Sequence, residues 1–264
     1  MKILPKKSLG QNFILDRNII NQIVELGNLN NESFVVEIGP GTGNLTNEIL
    51  KKNPKKFYAI EKDKDLYQSL KKKFDRKINF LNEDVLKVDW TSLIDEQCIV
   101  FGNLPYNISA KILINWIRLN NLNFLFKRFI LMFQKEVADR IVAEVNSSKY
   151  GRLTILTEWK LNVKKIIDIN PECFYPKPKV KSSVLYFEPK NNYFNFKNSK
   201  NLEKVTDIFF QNKRKMIKKP INILFEDARK IIKKLNLDEK CRPQNLDSKT
   251  FFKISKEYEN KGFL

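Results

Sequence analysis

Between Ser33 and Glu188 short β-rich runs alternate with amphipathic helical stretches, and this alternation restricts the fold more than any other feature of the chain. The runs are Phe34-Val35-Val36-Glu37-Ile38, Lys56-Phe57-Tyr58-Ala59-Ile60, Ile78-Asn79-Phe80-Leu81, Gln97-Cys98-Ile99-Val100-Phe101 and Arg128-Phe129-Ile130-Leu131-Met132. Such βα alternation predicts a parallel sheet covered on both faces. Near its end, Val163 to Ile169 and Ser182 to Phe187 flank a proline-rich connection, Pro171 through Pro178, and suit a hairpin. Beyond Pro189 an Asn-rich linker, Asn191 to Asn201, leads to purely helical patterning. Leu202 to Met216, Ile221 to Leu235 and Ser248 to Tyr258 repeat apolar residues at helical spacing, with Pro220 and Pro243 as breakers. The expected fold is α/β: a doubly wound, Rossmann-like sheet with a C-terminal antiparallel hairpin over residues 1–190, then a small all-helical domain over 191–264.

The chemistry gathers where runs end. Phe34 to Ile38 enters Gly39-Pro40-Gly41-Thr42-Gly43, whose glycines let the backbone turn sharply and approach a ligand. A dinucleotide fingerprint needs GxGxxG, but the pattern here is GxGxG, with Asn44 in the third glycine's place. The sulfonium cofactor S-adenosylmethionine therefore gains over NAD or FAD. The second run leads straight into Glu61, whose carboxylate can accept both ribose hydroxyls, and the third is followed by Glu83-Asp84-Val85, where Asp84 can accept from an adenine amine.

The fourth run leads into Asn103-Leu104-Pro105-Tyr106, which suits a planar amine. An exocyclic purine amine is a poor nucleophile because its lone pair is delocalised into the ring. The Asn103 side-chain carbonyl and the Leu104 backbone carbonyl can accept its two hydrogens, while Pro105 biases Leu104 toward extended backbone. Tyr106 offers a face on which a base can stack, worth about 1–3 kcal/mol. Adenine N6 methylation is the indicated reaction; a plain turn ending a buried strand is the alternative.

The formal charge is +19, from 49 basic and 30 acidic residues, which points to a polyanionic partner. Residues 191–264 carry 18 basic and 9 acidic side chains, +9 over 74 residues against +10 over the first 190. The absence of histidine excludes Ser-His and Cys-His nucleophile pairs, HExxH metalloproteases and histidine-ligated zinc deaminases. Methyl transfer from a sulfonium tolerates that loss, because alkylation itself makes the attacking nitrogen acidic and no tuned base is required. Cys98, Cys173 and Cys241 stand far apart, forming neither a CxxC site nor an even disulfide set. With no apolar leader and no run approaching a membrane span, a soluble, cytoplasmic, monomeric, metal-free protein is expected.

With these residues in place, the chain resembles the KsgA family, which dimethylates two adjacent adenosines near the 3′ end of small-subunit ribosomal RNA. The resemblance covers nearly the whole chain: Lys7-Ser8-Leu9-Gly10-Gln11-Asn12-Phe13-Ile14, Glu37 to Gly43, Asn103 to Ser109, Gln134 to Arg140, Phe174-Tyr175-Pro176-Lys177-Pro178-Lys179-Val180 and Phe209 to Lys215. Ile14 and Lys213 replace the family's usual leucine and arginine, keeping side-chain character. The cofactor-binding set it implies is Gln11, Asn12, Ile14, Glu37, Gly39, Gly41, Gly43, Glu61, Lys62, Asp84, Val85 and Asn103. The catalytic set is Asn103, Leu104, Pro105, Tyr106 and Phe174. Alone, Phe174 reads as a core aromatic capping the hairpin; the resemblance stacks it on the target base opposite Tyr106.

Lys177, Lys179, Lys213, Arg214 and Lys215 are the expected phosphate contacts to ribosomal RNA and the immature small subunit, the last three otherwise reading as a solvated helix face. Dimethylation, as opposed to a single transfer, rests on the resemblance. Large-subunit methyltransferases of the macrolide-resistance type share the catalytic core; Phe209 to Lys215 and Cys241 to Leu246 look instead like the small-subunit group. An RNA-binding assembly factor, or a transcription factor that kept the fold, is the non-enzymatic alternative, and Glu37, Glu61, Asp84 and Asn103 argue against it.

Overall fold

A computed structural model describes residues 5–6, 9–74, 76–211 and 213–261. Lys7, Ser8 and Asn212 of the resembling segments lie outside them. The strands are β1 (Phe13–Ile14), β2 (Phe34–Ile38), β3 (Lys56–Ile60), β4 (Asn79–Leu81), β5 (Cys98–Asn103), β6 (Phe126–Gln134), β7 (Leu161–Ile169), β8 (Phe174–Tyr175) and β9 (Ser182–Pro189). Seven form one sheet in the order β4-β3-β2-β5-β6-β9-β7. Its parallel part, β4 through β6, closes with β9 antiparallel to β6 and β7 beyond it, as the α/β expectation required.

Burial explains why these runs become strands. All five residues of β2 are buried, as in a central strand covered by helices on both faces. The covering helices carry caps and apolar faces: Asp16 accepts from the Asn18 and Ile19 amides at the head of helix Arg17–Glu25, which buries Ile20, Ile23 and Val24. Asp63 caps helix Lys64–Lys73 in the same way, and Leu66 and Leu70 pack inward.

Register aligns the strand ends. Ile38 pairs with Ile60 on one side and Gly102 on the other, and Ile60 pairs with Leu81. Gly39, Glu61 and Asn103 therefore stand one step beyond a common row, at the carboxyl edge of the sheet. From β2 the chain fills positions on one side through β3 and β4, then crosses to β5 on the other. A ligand crevice belongs at that reversal.

The chain divides into two compact units, one running through Ala138 and including Asn162–Pro189, the other Asp139–Leu161 with Lys190 onward. Segment 139–161 thus departs from the expected 1–190 and 191–264 division. Its partners explain this: Arg152 pairs with Asp207 at 2.7 Å, Tyr150 bonds Ser248, and Trp159 packs on Tyr193 and Phe196. Three helical expectations are corrected. Leu202 to Met216 is helix Lys200–Gln211 followed by a turn holding Lys213 to Lys215, so those cations sit on no helix face. Ile221 to Leu235 is two helices, Lys218–Leu224 and Ala228–Lys234, because Phe225 turns extended and Asp227 caps the second. Pro220 lies inside the first of these, in the opening turn where its missing N–H costs nothing. No helix among the described residues is long and apolar enough to cross a membrane.

Candidate active site

A cleft opens at the carboxyl edge of β2, β3 and β5, lined by Leu9 to Phe13, Gly39, Gly41, Glu61, Lys62, Leu66 and Asn103 to Ile108. The glycine loop shapes its floor. Gly39, Gly41 and Gly43 have φ of 66°, 59° and 80°. At Gly41 a Cβ would also stand 2.7 Å from the Phe13 ring, so both backbone conformation and packing demand glycine.

Glu61 is 6% exposed, and its carboxylate accepts the Asp63 amide at 2.8 Å and the Gly41 amide at 3.3 Å. Burial raises its pKa, and those two amides oppose the rise. The lone pairs on its two oxygens leave it capacity for further donors in the cleft. At Asp63 burial works upward too, but bonds from Lys6 and Gln11 outweigh it and hold that carboxyl below its usual range. Those bonds, 2.9 Å from Lys6 and 3.0 Å from Gln11, tie the N-terminal segment to the end of β3.

The same segment sets Asn103. Its Nδ2 donates to the Asn12 carbonyl at 2.6 Å, which leaves Oδ1 as the acceptor. Strand β1 carries the segment over the cleft by pairing antiparallel with β8, Phe13 opposite Tyr175 and Ile14 opposite Phe174. Tyr106, in the turn between β5 and helix Ser109–Ile117, is held at both ends: Ser109 Oγ donates to its carbonyl, and its hydroxyl bonds Ser182. Burial raises the Tyr106 hydroxyl pKa.

The cleft brings together Gln11, Asn12, Gly39, Gly41, Glu61, Lys62, Asn103, Leu104, Pro105 and Tyr106 of the expected residues. It leaves others behind its wall. Ile14 is buried, and its carbonyl accepts from Asn44 at 2.7 Å. Gly43 packs against Phe74 and Leu70. Glu37, 1% exposed, accepts from Thr46 at 2.7 Å and so ties β2 to helix Asn44–Leu50; burial pushes its carboxyl up to about 8. Asp84 is engaged by Lys62 at 2.9 Å, which lowers its pKa, and neither it nor Val85 lines the cleft.

Phe174, expected opposite Tyr106 on the base, is instead 4% exposed in the core cluster with Ile14, Met132 and Val184. Pairing with Ile14 draws it inward, as its reading as a core aromatic had it. Lys177 is exposed and paired with Glu172, and Lys179 is exposed. Lys213 donates to the Ser148 carbonyl at 2.9 Å, while Arg214 and Lys215 join Lys218, Lys219, Lys240 and Arg242 around a basic depression. Leu9, Gly10, Phe13, Leu66, Asn107 and Ile108 line the cleft without having been singled out as site residues. Nearness to Gln11 and Tyr106 was the available signal for all but Leu66.

Chemically, the cleft offers acceptors at the Asn103 side chain and backbone, a buried carboxylate and one aromatic face. The sequence profile of the family described as ribosomal RNA adenine dimethylase matches residues 4–260. Ribosomal RNA small subunit methyltransferase A of Pelagibacter ubique is 54% identical over 260 residues, covering 98% of this chain and 99% of the relative. The protein of that name from Ehrlichia chaffeensis is 42% identical over 96% of this chain and 97% of its own length. The crystal structure of a dimethyladenosine transferase from Plasmodium falciparum matches with a TM-score of 0.78 at 26% identity, covering 95% of this chain and 98% of that one.

Proposed function

The chain belongs to the ribosomal RNA adenine dimethylase family, and from that premise we propose that it dimethylates the N6 amines of two adjacent adenosines near the 3′ end of small-subunit ribosomal RNA. The observation that carries this reading is the Asn103 amide, anchored through Nδ2 to the Asn12 carbonyl beside the glycine loop. That anchor presents Oδ1 as an acceptor, with the Leu104 carbonyl next in sequence.

The methyl donor is S-adenosylmethionine, which supplies an already activated methyl group. The residues fit it: glycines where a Cβ would fill the floor, and a buried Glu61 carboxylate suited to ribose hydroxyls. Gln11, Asn12, Gly39, Gly41, Lys62 and Asn103 complete its walls. Asp84, which Lys62 holds outside the cleft lining, would accept from the cofactor's adenine amine. An adenosine is drawn out of its stack onto Tyr106, since its amine is unreachable inside a helix. Asn103 Oδ1 and the Leu104 carbonyl would each accept one N6 hydrogen, which localises the nitrogen lone pair out of the ring for attack on the methyl group the bound cofactor would supply. After transfer the nitrogen is acidic and releases its proton to water, so no tuned base is required.

Lys177, Lys179, Lys213, Arg214 and Lys215 hold the RNA backbone of the immature small subunit, positioning it without reading sequence. The protein works as a monomer in the cytoplasm. The test is transfer of labelled methyl from the cofactor to immature small subunits and, separately, to large-subunit RNA. Label confined to small subunits is the expected result; preferential labelling of large-subunit RNA refutes the substrate, and binding without transfer refutes catalysis.

A further inference from the structure

Tyr106 is fixed at its tip by Ser182, a residue outside the cleft wall. The two hydroxyls lie 2.5 Å apart, and Ser182 is fully buried. A buried hydroxyl needs a partner, and this one finds it in the ring that flanks the cleft. Ser182 is itself held in the sheet: it opens β9, opposite Gln134 in the β6–β9 ladder, and the neighbouring Lys135 amide donates to the Lys181 carbonyl at 2.9 Å. The far end of the Tyr106 ring is thus referenced to the sheet, while its backbone is held by Ser109.

Resting on the dimethylation reading, we propose that Ser182 is a positioning residue that carries the reaction from monomethyl- to dimethyladenosine by locking the Tyr106 ring. In each transfer the N6 lone pair forms the new N–C bond as the methyl carbon's bond to sulfur breaks. The electron pair stays on sulfur, and an N6 proton leaves to water. The unmodified amine has two hydrogens, one for Asn103 Oδ1 and one for the Leu104 carbonyl. The monomethyl amine has one. In the second transfer one orienting hydrogen bond is gone, so the stacking face must supply a larger share of the alignment. A ring free to tilt therefore slows the second transfer more than the first.

The experiment uses the full-length protein on immature small subunits, with nucleoside mass spectrometry of mono- and dimethyladenosine over a time course. Compared at equal total methylation, Ser182→Ala is expected to raise the ratio of mono- to dimethyladenosine by roughly two- to twelvefold, the range set by one net hydrogen bond. The KM for RNA and the Kd for cofactor stay unchanged. Tyr106→Phe keeps the ring but loses the same bond, so it should shift the ratio equally, and the double variant should shift it no further.

A variant damaged only in stability loses both transfers in proportion and leaves the ratio alone, which overturns the proposal. So does a double variant whose shift is the product of the single ones. Should Ser182→Ala fail to fold, Tyr106→Phe decides alone: an unchanged ratio refutes the role. Wild-type protein that stops at monomethyladenosine refutes the dimethylation reading, whereas wild-type dimethylation with unchanged ratios refutes this inference only.

Discussion

Replacing Glu37 by glutamine separates a structural carboxyl from a cofactor ligand. In the folded protein burial pushes this carboxyl up to about 8 from 4.5, the Thr46 bond opposes the rise, and the Glu61 charge adds to it. Between those values the folded state holds a proton that the unfolded chain has released. The stabilisation is therefore complete below about pH 4.5 and is lost as pH rises toward about 8. One proton corresponds to about 1.4 kcal/mol per pH unit, or roughly 3 kcal/mol between about pH 5.5 and 7.5. The chain has no histidine, so little else titrates in that window. Glu61 is also raised, by burial, and contributes with the same sign. Lys160, pulled down to about 8 by burial, acts in the opposite direction only above that pH.

Glutamine keeps the shape, and its side-chain oxygen can still accept from Thr46, so Glu37→Gln should flatten most of this decline. Urea unfolding followed by fluorescence across the window measures it. Cofactor affinity should remain near wild type, because Glu37 lies behind the cleft wall. A wild-type stability that is level or rises over this range, or a variant with the same slope, refutes the reasoning.

Asn103→Ala should lower single-turnover methylation by about 10²-fold or more while RNA affinity changes little, because the bond acts mainly in the transition state; near-normal rates rule the role out. Glu61→Ala should weaken cofactor binding by about 1.5–3 kcal/mol in calorimetry with RNA binding intact. Gly41→Ala forces an unfavourable φ and a Cβ 2.7 Å from the Phe13 ring, so cofactor affinity should fall more than global stability, measured by calorimetry beside thermal melts. Replacing Lys213, Arg214 and Lys215 together by alanine should reduce the slope of log RNA affinity against log salt by about 0.7–0.9 for each phosphate no longer neutralised, leaving cofactor affinity unchanged.

Much of the fold was legible because buried parallel strands are marked by composition. β2 and β3 begin and end at the residues their apolar runs define. What escaped lacked periodicity. β1 and β8 are two residues each, and their pairing joins positions about 160 apart in sequence. Helix Arg152–Lys160 buries Leu153 to Thr157 continuously, so it has no polar face to betray its repeat. The site was legible where a functional residue directly follows a strand, as Gly39 and Glu61 do, or ends one, as Asn103 does. It was not where position depends on tertiary pairing: Leu66 reaches the cleft from the helix after β3, and Phe174 is drawn into the core by Ile14.

The most direct test of the account is mass-spectrometric mapping of ribosomal RNA from small subunits treated with cofactor and either wild-type protein or Asn103→Ala. Wild-type protein should yield N6,N6-dimethyladenosine at two neighbouring positions near the 3′ end, and the variant should yield almost none while still binding the subunit. Methylation at another atom or another site, or a variant that modifies both adenosines at the wild-type rate, contradicts it.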